Sequence, residues 1–291
     1  MAKETNINRE YKDRLFRYIF GNEKHKPLTL SLYNAVNGTS YSDAEKLQIE
    51  NLDDVVYVEM RNDLSFIIAD SMNIYEQQST YNPNMPIRLL CYAGKLYSKY
   101  IEKHGLKNKL YGSKKVIVPC PKLVVFYNAE KEEEEETILK LSDAFEDKSV
   151  KGDIELTVRV LNINWGNNIK LMENCKPLSD YSKIVSDVRE LVKQGYSMEE
   201  AIEIALRTLP EDSEVRKLIE ENKAGVVDMF LTEYDEQGVM EVFREEGIEI
   251  GEESKALKIA KTMLEDGVPL DKISKYTGIH TDELNKLKQQ L

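Results

Sequence analysis

Hydrophobic positions recur at two different spacings in the first 178 residues of the chain. Helical spacing of apolar residues predicts helices over 8–20, 28–36 and 87–101, and Pro86 suits the first turn of the third. Short apolar or alternating runs predict strands over 55–58, 64–69, 72–75, 122–127 and 154–164. This order of helices and strands predicts an α/β fold, with a mixed β-sheet flanked by helices.

Two of these strands predict a β-hairpin. The runs 64–69 and 72–75 flank Asp70-Ser71, which is a turn signal. The two-residue loop is either Asp70-Ser71 or Ala69-Asp70. Both alternatives leave the same side chains on the same face of the hairpin, because side chains alternate with a period of two.

Three polar side chains share one face in either register. Asp63 lies opposite Gln78 if Asp70-Ser71 is the loop, and opposite Glu76 if the loop begins one residue earlier. Cβ atoms of directly opposed residues are about 5 Å apart. Two carboxylates at that spacing can share one hard cation.

The remainder of the chain predicts helices without strands. Helical spacing is found near 179–194, 198–208, 213–223 and 225–232, and residues 241–253 are acidic and typical of a linker. The tail 255–291, with Gly278 at a predicted turn, fits a helix-turn-helix. Few basic residues lie on its second helix, so packing or dimerisation is favoured over base reading.

Charge is unevenly distributed in this chain of 291 residues, which has a net charge of −12. The sum argues against a protein that coats nucleic acid. Between Lys95 and Lys122, however, there are eight lysines and a single acid, Glu102. This block could bind phosphates or could be a solvated surface. The glutamate run 132–136 predicts a solvated, mobile loop.

Composition restricts the compartment and the chemistry. No apolar stretch approaches the roughly 18 residues of a membrane span, and the N-terminus lacks the apolar core of a secretory signal. The three cysteines are widely spaced, which favours reduced thiols over disulfides or zinc. The three histidines are scattered, which disfavours a histidine metal cluster or a Ser-His-Asp triad. We predict a cytoplasmic protein that does not engage a membrane.

An acid at the base of one strand and Glu-x-Gln on the next are similar to the nuclease signature PD-(D/E)XK. Longer segments resemble the Rpn family of recombination-promoting nucleases, which are also labelled PD-(D/E)XK transposases. The resemblance extends from about residue 8 to about residue 250. It is carried by 13–21, 32–39, 60–66, 75–86, 121–128, 155–158, 161–164 and 231–235.

The resemblance implies a restriction-endonuclease-like fold and DNA cleavage dependent on Mg²⁺ or Mn²⁺. The acids of the family motif fall on Asp63 and Glu76, which would hold the metal, with the Gln77 carbonyl as a further candidate ligand, and the usual glutamine falls on Gln78. Gln77 stands where the family often has histidine, and alternation points its side chain away from the site. Gln78 replaces the lysine of the wider superfamily. Its amide could orient the attacking water but supplies no positive charge.

Two further residues are candidates for this site. Arg88, near the start of the helix after the hairpin, could supply the missing positive charge, or could form a salt bridge or clamp a phosphate. Asp13 on the first helix could reach the metal, although a helix cap or a surface ion pair is the favoured role.

The predicted organisation is therefore a PD-(D/E)XK-like nuclease domain over 1–178, a helical extension over 179–239, an acidic linker over 240–254 and a helix-turn-helix-like tail over 255–291. The leading hypothesis is a Mg²⁺-dependent DNA endonuclease associated with recombination, mobile elements or defence. The alternative is a catalytically weak relative that binds DNA or a protein. A homodimer would suit cleavage of both strands.

Overall fold

A mixed β-sheet lies at the centre of the protein. Its strands within the described residues are β1 Gln48–Ile49, β2 Leu64–Ile68, β3 Ser71–Gln78, β4 Cys120–Tyr127, β5 Glu136–Lys140 and β6 Thr157–Asn162. They are ordered β1-β2-β3-β4-β6-β5. β3, β4 and β6 are parallel, and the remaining neighbours are antiparallel. The predicted α/β class with a mixed central sheet is confirmed.

The computed structural model describes residues 11–50, 63–129, 133–147, 150, 152–227, 229, 261–264 and 269–277. The chain divides into two compact units, Met1–Leu231 and Thr232–Leu291. Helices of the first unit are α1 Tyr11–Phe20, α2 Lys26–Asn37, α3 Met85–Lys103, α4 Ile169–Asn174, α5 Lys176–Lys193, α6 Met198–Arg207 and α7 Glu214–Glu221. The second unit contains α8 Leu270–Thr277.

Helices cover both faces of the sheet. On one face α1, α2 and α5 pack against a core that includes Phe66, Tyr75 and Phe126. The ring centroids of Tyr75 and Phe126 are 5.4 Å apart in an edge-on contact. On the other face α3 packs against Ile74 and Val125. β4 is therefore buried on both faces, as its continuous apolar run predicts.

The β2–β3 hairpin has the loop Ala69-Asp70, because Ile68 pairs with Ser71. The alternative loop Asp70-Ser71 is wrong. Ser71 belongs to β3, where it also pairs with Cys120 of β4. Ala69 has φ +50°, the left-handed conformation that tight two-residue hairpin turns require.

Several predicted elements differ in their bounds. The helix predicted over 28–36 extends over Lys26–Asn37 and ends at Gly38, whose φ of +65° and N–H bond to the Asn34 carbonyl close the helix. The strand predicted over 154–164 is Thr157–Asn162. β1 was not predicted, because two residues are too few to show a pattern. The predicted strand 55–58 and residues 8–10 lie outside the described residues.

The glutamate run is not wholly a mobile loop, and that prediction is wrong at its C-terminal end. Glu136 begins β5, an edge strand that pairs with β6. Its carboxylate accepts a hydrogen bond of 2.8 Å from Arg159 Nε. Thr137, Ile138 and Leu139 follow the acids, and their backbone pairs with β6.

The hydrophobic core continues past residue 178. α5, α6 and α7 contribute Tyr181, Ala201 and Val215 to the same buried cluster as the sheet. The division between a domain 1–178 and an extension 179–239 stays a prediction. α4 was not predicted, and the helix predicted over 225–232 is described as helical over 223–227.

In the second unit, residues 261–264 and α8 are helical, and Ile273 is fully buried. The predicted linker 240–254 and the turn at Gly278 lie outside the described residues. Within the described part of the chain, no helix combines the length and apolar character needed to cross a membrane.

Candidate active site

Asp63 and Glu76 lie together at one end of the hairpin. The Asp63 backbone N–H donates to Glu76 Oε1 at 3.2 Å, and the Gln77 backbone N–H donates to Asp63 Oδ2 at 2.5 Å. Each carboxylate is thus held by the backbone of the strand opposite. The β2–β3 register, continued by one residue, sets Asp63 opposite Glu76, which is the second register that the sequence allows.

Both carboxylates are removed from water. Asp63 is 7% exposed and Glu76 is 1% exposed. Burial raises the pKa of Asp63 well above its usual value, and the charges of Glu76 and Asp13 raise it further, while the Gln77 N–H partly opposes the rise. Burial raises the pKa of Glu76 to about 8, against the opposing charge of Arg88. The pair therefore resists carrying two negative charges unless a cation is added.

Asp13, in the first turn of α1, faces this pair. Its side chain hydrogen-bonds to the Asp63 carboxyl group and also raises the pKa of Glu76. Its Oδ1 is buried and has no hydrogen-bond partner among the described residues. The sequence favoured a helix cap or a surface ion pair for Asp13. That prediction is wrong, because α1 directs the Asp13 side chain towards the buried acids.

Arg88 supplies a positive charge beside Glu76. Its Nη2 lies 3.4 Å from Glu76 Oε2 and donates to the Tyr92 hydroxyl at 3.1 Å. α3 begins with a proline in its first turn beside the end of β3, which places Arg88 over the carboxylate. The salt bridge considered from the sequence is present. Arg17 on α1 also lowers the pKa of Glu76, and sequence reasoning missed it.

The two glutamines point to opposite faces of β3, as alternation predicts. Gln78 is half-buried and lines a small recess with Tyr81, Met85 and Tyr127. No hydrogen bond links its side chain to either acid among the described contacts. The Gln77 side chain is buried on the other face, where its Nε2 has no hydrogen-bond partner among the described residues.

These oxygen atoms suit a hard divalent cation. Mg²⁺ is usually bound by one or two carboxylates together with water and phosphate oxygens. Asp63 and Glu76 provide two carboxylates, and the buried Asp13 Oδ1, which has no hydrogen-bond partner among the described residues, is a further oxygen atom close to Asp63. Over the described ranges, no three or more His, Cys, Asp or Glu side chains form a cluster that could hold a metal alone. Two carboxylates are the number that Mg²⁺ usually takes from a protein, so Asp63 and Glu76 fit it by the chemistry of their donor atoms.

A second polar cluster, which sequence reasoning missed, lies beside the end of β4. Lys12 Nζ donates to the Asn128 carbonyl at 2.7 Å, and Arg189 Nη2 donates to Asn128 Oδ1 at 2.8 Å. The Tyr181 hydroxyl donates to the Lys12 carbonyl at 2.9 Å. In the sequence Lys12 is an ordinary polar residue of an amphipathic helix, and no local pattern marks its burial.

The lysine block is divided by the fold. Lys99 and Lys103 form ion pairs with Glu50, which follows β1. The lysines of residues 107–115 follow α3 and precede β4. They lie near the start of β4, whereas Asp63 and Glu76 lie near the end of the parallel strand β3.

Comparison with known proteins finds matches to short parts of this chain. Residues 253–289 match the Rpn/YhgA-like nuclease family, C-terminal HTH domain, so that the tail of the chain is similar in sequence to a helix-turn-helix domain. Recombination-promoting nuclease RpnA of Escherichia coli (strain K12) is 56% identical over 39 residues, which are 13% of this chain and 13% of that protein. Together these two matches support an Rpn family protein. No solved structure matches the chain.

Proposed function

We propose that this protein is a DNA endonuclease that depends on Mg²⁺ or Mn²⁺ and hydrolyses phosphodiester bonds at Asp63 and Glu76. The observation that carries the proposal is the reciprocal hydrogen bonding of these two buried acids: the Glu76 carboxylate accepts from the Asp63 backbone N–H, and the Asp63 carboxylate accepts from the Gln77 backbone N–H. Structural roles alone would not require two acids to be buried side by side, because burial of paired like charges is costly.

The order of elements supports a restriction-endonuclease-like core. A helix is followed by three antiparallel strands, then by the crossover helix α3 and by β4, which is parallel to β3. Asp63 immediately precedes β2, and Glu76 lies near the end of β3. This arrangement agrees with the site that the resemblance to PD-(D/E)XK nucleases implies.

Each side chain has a defined task in the proposed reaction. Asp63 and Glu76 hold the divalent ion, which when bound polarises the scissile phosphate and lowers the pKa of water. Gln78 orients the attacking water through its amide. Arg88 lies next to Glu76 and supplies the positive charge that the lysine at the position of Gln78 supplies in the wider superfamily. Asp13 adds negative charge that strengthens the preference for a cation.

DNA as the substrate is supported by the C-terminal match. A helix-turn-helix domain suggests DNA binding, and the relative that shares 39 residues is named a recombination-promoting nuclease. Within this proposal the tail brings the chain to DNA and the first unit hydrolyses it. The biological setting is recombination, a mobile element or defence.

A second candidate function is a binding module with weak or no catalysis. The observation in its favour is that Glu76 is almost fully buried and already paired with Arg88, while Gln78 carries no charge. Such a protein would keep the fold and the helix-turn-helix domain, and would bind DNA or a protein partner without cutting.

Nicking of supercoiled plasmid DNA in the presence of Mg²⁺ or Mn²⁺ tests the proposal. Loss of a residue that only supports a metal's ligands lowers activity by roughly 10- to 100-fold. We expect Asp63→Ala, which removes a ligand itself, to lower the nicking rate by more than that. Asp70→Ala is the matched control, because it removes an exposed acid from the turn of the same hairpin. Circular dichroism establishes that both variants are folded.

Two results would count against the hydrolytic site. Equal nicking by wild type and Asp63→Ala would place any cleavage elsewhere. Absence of nicking by the wild type with either metal, combined with retained DNA binding, would favour the binding module.

A further inference from the structure

The segment 107–118, called the lysine loop below, has a charge opposite to that of the whole chain. It carries four exposed lysines and no acid: Lys107, Lys109, Lys114 and Lys115. None of the four forms an ion pair with a described residue, in contrast to Lys99 and Lys103. Its positive charge is therefore available to an anionic partner.

Apolar side chains are exposed within the same loop. Tyr111 is 89% exposed, Ile117 is 75% exposed and Leu110 is 51% exposed. An exposed apolar patch bordered by charge is typical of an interaction site. An aromatic ring set among lysines combines the two chemistries that bind single-stranded nucleic acid, which are stacking on bases and attraction to phosphates.

The backbone of the lysine loop is held at both ends. Residues Lys107–Tyr111 form a 3₁₀ turn, and the Leu106 N–H donates to the Ile101 carbonyl at 2.8 Å. At the other end the Tyr97 hydroxyl donates to the Pro119 carbonyl at 2.8 Å. Tyr111 is thus presented from an ordered backbone, which lowers the entropic cost of binding.

The loop is separate from the acidic pair. It ends where β4 begins, and Cys120 at this point pairs with Ser71 of β3, whereas Glu76 pairs with Val125. Five residues of strand correspond to about 17 Å at about 3.3 Å per residue. A strand of DNA that contacts both places must therefore extend along the sheet.

We propose that the lysine loop binds single-stranded DNA, with its lysines on the phosphates and Tyr111 stacked on an unpaired base. Duplex DNA would satisfy the lysines but would leave Tyr111, Leu110 and Ile117 uncovered, because its bases are already stacked. The inference rests on the proposed function only in taking DNA as the polymer. It does not depend on hydrolysis.

Binding of the full chain to fluorescein-labelled single strands of about 20 nucleotides, and to the matched duplex, tests this by anisotropy in EDTA. We expect Tyr111→Ala to weaken single-strand binding about 5-fold or more and to change duplex binding less than about 2-fold. We expect Lys114→Gln/Lys115→Gln to weaken single-strand binding and to flatten its salt dependence. The controls are Tyr196→Ala and Lys24→Gln/Lys140→Gln, which alter exposed residues elsewhere in the first unit.

Three outcomes would overturn the inference. In the first, Tyr111→Ala is indistinguishable from Tyr196→Ala on the single strand. In the second, Tyr111→Ala weakens binding to the single strand and to the duplex by the same factor. In the third, Tyr111 is needed for binding to phosphatidylglycerol vesicles but not to DNA, which would assign the loop to an anionic membrane surface. Because EDTA prevents metal-dependent cleavage, failure of the nuclease proposal would leave this measurement unaffected.

Discussion

Replacing Glu76 by glutamine should stabilise the metal-free protein, and increasingly so as the pH rises. Burial raises the pKa of Glu76 from 4.5 to about 8. Between these values the folded protein holds a proton that the unfolded chain releases. Stability therefore falls as the pH rises through this window, because the unfolded state binds fewer protons. The substituted glutamine has no charge, so the variant is exempt from this loss.

The size of the effect follows from the structure. A rise in pKa from 4.5 to about 8 corresponds to an upper limit of about 5 kcal/mol, at about 1.4 kcal/mol per pH unit. The glutamine loses the ion pair with Arg88, which lies 3.4 Å from Glu76 Oε2. If the glutamine amide nitrogen takes the place of Glu76 Oε2, two donors face each other, the amide N–H and the Arg88 N–H, at a cost of about 1–3 kcal/mol. We expect Glu76→Gln to be more stable than wild type by about 2 kcal/mol at about pH 8.5, with no advantage at about pH 5.

The assay is urea denaturation in EDTA at about pH 5, 6.5 and 8.5, which span the window between the two pKa values. Trp165 is the single tryptophan of the chain and belongs to the first compact unit, so its fluorescence reports unfolding of the unit that contains the site. Glu102→Gln, which alters an exposed acid at the end of α3, is the control. If the free energies of unfolding of wild type and Glu76→Gln differ by the same amount at all three pH values, ionisation of buried Glu76 does not destabilise the protein, and the reasoning is refuted.

Two further perturbations test neighbouring parts of the structure. Arg88→Ala should lower the free energy of unfolding at about pH 8.5 by about 1–3 kcal/mol, because it leaves Glu76 buried without its nearest positive charge. The cost should shrink in the Glu76→Gln background, and an unchanged cost in this double-mutant cycle would show that the ion pair is not the cause. Ala69→Gly should raise stability by about 0.5–1 kcal/mol, since Ala69 has φ +50° and glycine adopts that conformation freely. Ala69→Val should lower stability, and a reversed order in urea denaturation would contradict the observed turn.

The hairpin shows how far the sequence could predict the candidate site. Alternation with a period of two places Asp63, Glu76 and Gln78 on one face for any loop with an even number of residues. It could not select between two registers, because Asp70-Ser71 and Ala69-Asp70 are both acceptable turns. The parallel strand β4 decides between them, since pairing of Ser71 with Cys120 places Ser71 in β3.

Sequence patterns within single elements could not predict which residues surround Asp63 and Glu76. Asp13 and Arg17 belong to α1, a helix far from the hairpin in sequence, yet both change the pKa of Glu76. Nothing in an amphipathic helix reveals which of its polar residues will face a strand end. Lys12 is a similar case, because its burial against Asn128 depends on where β4 ends.

The sequence by itself determined the α/β class, the hairpin and the set of polar side chains that can share one face, because these follow from periodicity within single elements. Only the tertiary structure decided that Glu76 is nearly inaccessible to water, that Arg88 and Asp13 surround it, and that the lysine loop lies towards the other end of the sheet. The physical reason is that burial and charge–charge distance depend on contacts between residues far apart in the chain, and these exist only when the elements are packed together.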